Sequence, residues 1–202
     1  MIRDELQNVR PFPMSPRTGR LRSPLRVVEL GMDVLDLLEG GPADTIVLPL
    51  WSDERPLTGL AALVDWRTCG RLSANLRRGL TTGARGESTL TLTRGIASAW
   101  RMVLIGLGAR GDLDRAGAAA AGDYLYEVTR RLGARRVALG VPSGRRDPTL
   151  PLVLVEALFE RLGADALAAE DPRDAPVWWA IAEPELLPYL RTIAEGRSAT
   201  RA

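Results

Sequence analysis

The residues of this chain that can do chemistry are carboxylates, hydroxyls, backbone amides, 27 basic side chains and one thiol, Cys69. His is absent, and every basic residue is Arg, so there is no Lys. Without His, a Ser-His-Asp or Cys-His nucleophile and a His metal site are excluded. Without Lys, a Schiff base, a P-loop lysine and a lysine general base are excluded. One cysteine forms neither an internal disulfide nor a Cys cluster.

The loop Pro142–Pro148 (PSGRRDP) is the first candidate site. It follows an apolar run and precedes a helical pattern. Ligands of open α/β sheets bind beyond the carboxyl ends of strands, and helix N-termini favour anions. Ser143, Gly144, Arg145 and Arg146 can therefore hold a phosphate or carboxylate. The same Gly, Asp and Pro also suit a solvated turn. Asp33 is a carboxylate at a helix start, where the helix dipole stabilises it.

Asp53 and Glu54 follow another apolar run, and Asp65 precedes Trp66. Paired carboxylates can bind a hard cation or do acid/base work; isolated surface acids are the plainer reading. Cys69 has Arg67 and Arg71 nearby, which can favour a thiolate, although free cysteines are commonly buried and inert. Gly106 and Gly108 form half of a nucleotide fingerprint, or a turn that needs glycine. Trp178 and Trp179 are adjacent in a strand and face opposite sides; one exposed ring would make a stacking platform, and helices over both would make them core.

These residues need elements to hold them. Leu25–Leu30, Thr45–Trp51, Ser88–Thr93, Arg101–Leu107, Arg136–Val141 and Val177–Ala182 read as strands. Ser88–Thr93 alternates and has one polar face. Met32–Leu38, Leu57–Arg78 with a break at Gly70, a helix capped by Asp112, a helix from Thr149 and one over Glu183–Glu195 read as helices. The Asp112 helix would turn Leu113, Ala116, Ala120, Tyr124, Val128 and Leu132 inward. The alternation predicts an α/β fold, a three-layer α/β/α sandwich on a mixed central sheet.

The chain has 202 residues and a net charge of +2, with 46% hydrophobic and 26% charged residues, the balance of a globular domain. Residues 1–24 hold five Arg, four Pro and two acids, a local charge of +3 that leaves the rest at −1. They are expected to be a disordered Arg/Pro-rich tail, a basic arm or the product of a start ahead of Met14. One domain over 25–196 and a frayed end at 197–202 follow. A near-neutral body argues against a nucleic-acid face outside the tail. No apolar run spans a bilayer and no secretory h-region opens the chain, so the expected setting is the cytoplasm with no membrane partner.

The run DTIVLPLWSDERPLTGLAALVDWRTCGRLSANLRRG, followed by RMVLIGLG and an Ala-rich helix, resembles the N-terminal domain of leucyl aminopeptidases over about residues 25–165. The matching pieces are Leu48–Trp51, Gly70–Ser73, Gly86–Glu87, Gly106–Gly108 and Asp112–Leu132. The resemblance implies a macro-domain-like fold. In that outline VVELGMDVLDLL is similar to the macro domain's first strand and Gly-Asp-Ile-Thr turn, with Asp33 near the Asp that contacts adenine. ALGVPSG is similar to its second phosphate-loop strand, and VWWAIAEPELLPYLRTI to its closing strand and helix.

The departures shape the expected function. The aminopeptidase family does its chemistry in a separate C-terminal domain, with two metals held by carboxylates and a Lys, and this chain is expected to lack that domain. Its Ala194-Glu195-Gly196-Arg197 has no Asn-Thr-Asp before it. Where the macro domain has Asn-Ala-Ala-Asn and a glycine run, this chain reads PLWSDERPLTGLAAL. The expectation is a non-catalytic assembly, regulatory or ligand-sensing module, with no catalytic residue, metal or cofactor. Its partner would be a catalytic peptidase subunit or a second copy. The alternative is a divergent macro-domain-type binder or weak hydrolase of ADP-ribose or another nucleotide-like anion.

Overall fold

A computed structural model describes residues 23–93, 99, 101–144, 147–169, 171 and 175–196. The expected tail falls outside this set except for Ser23 and Pro24, and so do Arg145, Arg146 and residues 197–202. In chain order the elements are β1 (Leu25–Glu29), α1 (Val34–Glu39), β2 (Thr45–Trp51), α2 (Gly59–Arg67), α3 (Arg71–Arg77), β3 (Ser88–Leu92) and β4 (Arg101–Gly108). They continue with α4 (Arg115–Arg131), β5 (Arg136–Gly140), α5 (Thr149–Ala168), β6 (Val177–Ala182) and α6 (Leu187–Ala194).

The strands form one sheet in the order β1-β6-β5-β2-β4-β3. Every neighbouring pair is parallel except β3 with β4, which is antiparallel, so the sheet is mixed. The four central strands are buried along almost their whole length, as parallel strands covered on both faces must be. Side chains alternate between two cores. Val47, Val103, Leu139 and Trp178 face α4, α5 and α6; Ile46, Met102, Ala138 and Trp179 face α1, α2 and α3. The result is the three-layer sandwich that the alternation of elements predicts. Trp178 and Trp179 are 1% and 6% exposed, so helices cover both rings and the stacking-platform reading is corrected.

At the amino ends of the strands one carboxylate ties three elements together. Asp44 Oδ1 accepts from Arg101 Nη2 at 3.1 Å, and Asp44 Oδ2 accepts from the Arg135 and Arg136 amides at 3.2 and 3.0 Å. Arg101 Nη1 also donates to the Leu132 carbonyl, which closes α4 onto the start of β4.

Several local expectations are corrected. Asp114, not Asp112, caps α4: its side chain accepts from Gly117 N at 2.7 Å, while Arg110–Asp112 form a short 3-10 turn. The buried residues of α4 are Ala118, Gly122, Leu125, Tyr126 and Thr129; Leu113, Tyr124, Val128 and Leu132 pack in or against the same core as expected, while Ala116 and Ala120 are exposed. At Gly122 α4 lies very close to α5: a Cβ there would stand 3.1 Å from the Ala157 Cβ and nearer still to the Leu154 carbonyl oxygen. Gly70, in the left-handed conformation at φ 77°, does break the helical run after Arg67. Cys69 at that break is exposed rather than buried. Pro184 opens a 3-10 turn through Leu186, so α6 starts at Leu187. β3 keeps its alternation, but as an edge strand it leaves Leu90 and Leu92 half exposed. No helix among the described residues is long and apolar enough to cross a membrane.

Candidate ligand-binding site

β2, β4 and β5 run parallel, so the segments that follow them emerge at the same end of the sheet. Those segments enclose a cavity of about 250 Å³ lined by Asp53, Glu54, Arg55, Pro56, Thr58, Arg110 and Ser143. This is the place where open α/β sheets bind ligands.

Arg110 organises it. Its guanidinium donates from Nη2 to Glu54 Oε1 at 2.6 Å and from Nη1 to the Ser143 carbonyl at 3.2 Å. The guanidinium carbon lies 4.9 Å from the centroid of the Trp51 ring. The Arg110 amide donates to Asp53 Oδ1 at 3.1 Å. Both side chains of the Arg110–Glu54 pair are mostly screened from solvent, at 16% and 17% exposure. Glu54 Oε1 also accepts from Thr58 Oγ1 at 2.9 Å. Arg55 donates to the carbonyls of Trp51 and Glu54 and is exposed at the rim.

Ser143 joins the cavity to the closing helix. Its hydroxyl donates to Glu183 Oε2 at 2.9 Å, and both residues are buried. Gly144 is half-buried, and a Cβ there would stand 2.8 Å from Leu186 Cδ2 and 3.3 Å from Pro148 Cα. Glycine at 144 therefore lets the loop pass beneath the turn that leads into α6.

The carboxylates of this site are engaged. Asp53 and Glu54 do converge on Arg110 rather than on each other: Glu54 Oε1 takes the guanidinium and the Thr58 hydroxyl, and Asp53 Oδ1 takes the Arg110 amide. Asp65 is elsewhere; it accepts from the Ser73 amide at 3.0 Å and from the Ser73 hydroxyl, holding the start of α3. Among the described residues no group of three or more His, Cys, Asp or Glu could hold a metal ion.

Of the site residues named from sequence, Ser143 lines the cavity and Gly144 continues from it. Asp33 is exposed between β1 and α1, two strands away from β5 at the same end of the sheet, and makes no side-chain cap to its helix. Arg145 and Arg146 lie outside the described residues. Sequence reasoning missed Arg110, Thr58 and Glu183. Arg110 had a signal, since it comes two residues after the end of a buried strand, in the register of Pro142–Ser143 after β5. Its pairing with Glu54 had none.

The profile described as "Cytosol aminopeptidase family, N-terminal domain" matches residues 47–160. Among solved structures, a mutant of tomato leucine aminopeptidase is similar at 16% identity and a TM-score of 0.52, over 85% of this chain and 36% of that one. A mutant of the Oceanobacillus iheyensis macrodomain is similar at 13% identity and a TM-score of 0.53, over 86% of this chain and 89% of that one. At these identities the likeness is one of fold. This chain thus spans about a third of the tomato enzyme and nearly the whole of the macrodomain. No curated protein matches it.

Proposed function

We propose that this chain, which belongs to the cytosol aminopeptidase family by its match to that family's N-terminal domain, works as a non-catalytic ligand-sensing module, with a regulatory or assembly role toward its protein partner. The proposed ligand is a nucleotide-like anion, and the proposed setting is the cytoplasm. The observation that carries the reading is the cavity where β2, β4 and β5 end, with Arg110 held over Trp51 and the Ser143–Gly144 loop beside it. Arg110 is itself bonded to Glu54 and to the Ser143 carbonyl, so the proposed anion draws its charge-assisted contacts from Arg55 at the rim and from the loop after β5. Acid/base work by Asp53 and Glu54 is disfavoured, because both already accept from Arg110. The proposed contacts are Ser143, Gly144, Arg145 and Arg146, with Asp33 toward the far end of the ligand.

A thermal-shift titration of the whole chain against ADP-ribose, AMP, NAD and inorganic phosphate tests this. Ligand at ~100 times its dissociation constant adds about 2.7 kcal/mol, which is roughly 5–11 °C for a protein of this size. The expected result is a saturable shift that Arg145→Ala and Asp33→Ala reduce. No shift with any of the four sinks ligand sensing and leaves assembly with a protein partner, read by pull-down. The same preparation is expected to release no leucine from a chromogenic leucine amide above the blank; metal-dependent release would overturn the non-catalytic reading.

A further inference from the structure

Residues 116–122 of α4 read AGAAAAG and carry no charge on any side. A helix without a polar face is ordinarily buried all round. The rest of the fold covers only part of this one: Ala118 and Gly122 are buried, while Ala116 and Ala120 are exposed. The uncovered side is one wall of an open groove of about 480 Å³ on the outer face of the sandwich. Arg115, Ala116 and Ala119 line it from α4, and Val153, Ala157 and Glu160 from α5. It shares no residue with the cavity at the strand ends.

Unmatched charge stands at the two ends of this groove, on opposite walls. α4 and α5 run parallel: Gly122 lies against Ala157, and further along both helices Tyr126 reaches Asp165. Arg115 is therefore at the amino end of the α4 wall. Glu160 is at the carboxyl end of the α5 wall, about ten residues or roughly 15 Å further along. Neither has an ion-pair partner among the described residues. Their charged neighbours are engaged, since Asp114 caps α4 and Asp123 pairs with Arg161.

We propose that a second copy of this chain docks in the groove, related by a two-fold axis normal to it at its midpoint. Such an axis exchanges both the walls and the ends. α4 of one copy then lies antiparallel over α5 of the other, and each Arg115 stands over the other copy's Glu160. The ion pair forms twice, once at each end. Between the two pairs, the uncharged stretch of each α4 meets Val153 and Ala157 of the other copy. Glu156, midway along the α5 wall, comes opposite that uncharged stretch, so no like charge faces it. An isologous interface needs a surface complementary to itself. A groove with a cation at one end of one wall and an anion at the other end of the opposite wall is such a surface.

The test is sedimentation of the whole chain over about 1–100 μM. The expected result is a concentration-dependent dimer that high salt weakens. Arg115→Glu and Glu160→Arg each set like charges together at both ends and are expected to weaken it about tenfold or more. Mixed in equal amounts, the two variants are expected to dimerise with each other, because the acidic one then meets the basic one at both ends. Both side chains are exposed, and an acid in the first turn of α4 suits the helix dipole, so both variants are expected to melt near the parent. Ala116→Glu, also at an exposed position, is the further variant expected to dissolve the dimer. A monomer throughout the range, a dimer that neither charge reversal weakens, or variants that stay monomeric when mixed would overturn the proposal.

Discussion

Arg110 and Glu54 stand 56 residues apart in the chain and 2.6 Å apart in the fold, joining the segments after β4 and β2 over the ring of Trp51. The pair is largely screened from water, so its charges interact more strongly than an exposed pair would. Arg110→Ala removes the Glu54 bond, the Ser143 carbonyl bond and the stacking on Trp51 together. A hydrogen bond to a charged group contributes about 1.5–3 kcal/mol, so the variant is expected to melt roughly 3–12 °C below the parent. Glu54→Gln keeps the shape and an acceptor and is expected to cost less. A double-mutant cycle on melting temperatures checks the coupling; additivity of Arg110→Ala and Glu54→Gln would mean that the pair holds nothing together.

Tyr126 on α4 carries a second long-range relationship. Its hydroxyl donates to Asp165 Oδ2 on α5 at 2.6 Å, and the Arg161 guanidinium lies 5.2 Å from its ring centroid. Burial, then the bond to Asp165 and that carboxylate's charge, push the phenol up to about 12, against the opposing pull of Arg130 and Arg161. A raised phenol favours the neutral form in the folded state. Its contribution is therefore complete below the unfolded value of about 10 and is lost as pH rises through about 12. Absorbance at the tyrosinate band should show one late-titrating residue, and Asp165→Asn should bring it earlier. A native chain whose tyrosines all titrate together near the unfolded value would contradict the geometry.

The sheet was legible because its strands are short aliphatic runs bounded by turn formers. Thr45–Trp51 and Val177–Ala182 are strands from end to end, and burial on both faces explains why neither run alternates. The cap of α4 was harder. Asp112 and Asp114 are both good caps, and only the backbone decides, by winding Arg110–Asp112 into a 3-10 turn and leaving Asp114 extended. On α4 Leu113, Tyr124, Val128 and Leu132 were read correctly and Ala116 and Ala120 were not: in the Ala-rich part of the helix apolar spacing is nearly uninformative, and the close approach of α5 at Gly122 sets the rotation. At the site, Ser143 was legible from its place between a strand and a helix. The convergence of Asp53 and Glu54 on Arg110 was not, since it depends on β2 and β4 being sheet neighbours.

Glu87 anchors the turn before β3. Its carboxylate accepts from the Thr82 and Gly83 amides at 2.9 Å each, from the Ala84 amide at 3.2 Å and from the Thr82 hydroxyl at 2.7 Å. Burial pushes the carboxyl up, but the bonds from Thr82, Thr81 and Gly83 outweigh it and hold the group below its ordinary value. A lowered carboxyl stabilises the fold above its unfolded pKa of about 4.3, and that contribution is lost as pH falls through the lower folded value. Glu87→Gln is expected to lower the melting temperature at neutral pH and to flatten its decline under acid. Melting curves of both chains from neutral to strongly acid pH check this, and parallel curves would remove Glu87 from the acid response.

The same turn makes a demand on glycine that separates two nearby positions. Gly106 in β4 donates to the Glu87 carbonyl at 2.8 Å and accepts from the Gly86 amide at 3.1 Å. A Cβ on Gly106 would stand 2.7 Å from the Gly83 carbonyl carbon and 2.8 Å from that of Ala84, and would overlap the Ala84 oxygen. These are backbone atoms fixed by the Glu87 bonds, so no rotamer change relieves the clash. Gly106→Ala is expected to cost about 1–3 kcal/mol or more, as overpacking does. Gly111, five residues later, meets nothing within 4 Å. Gly111→Ala is expected to stay within about 0.5 kcal/mol of the parent. Chemical denaturation of the two variants side by side makes the comparison internal. Equal costs would mean that the 83–84 segment can move away from β4.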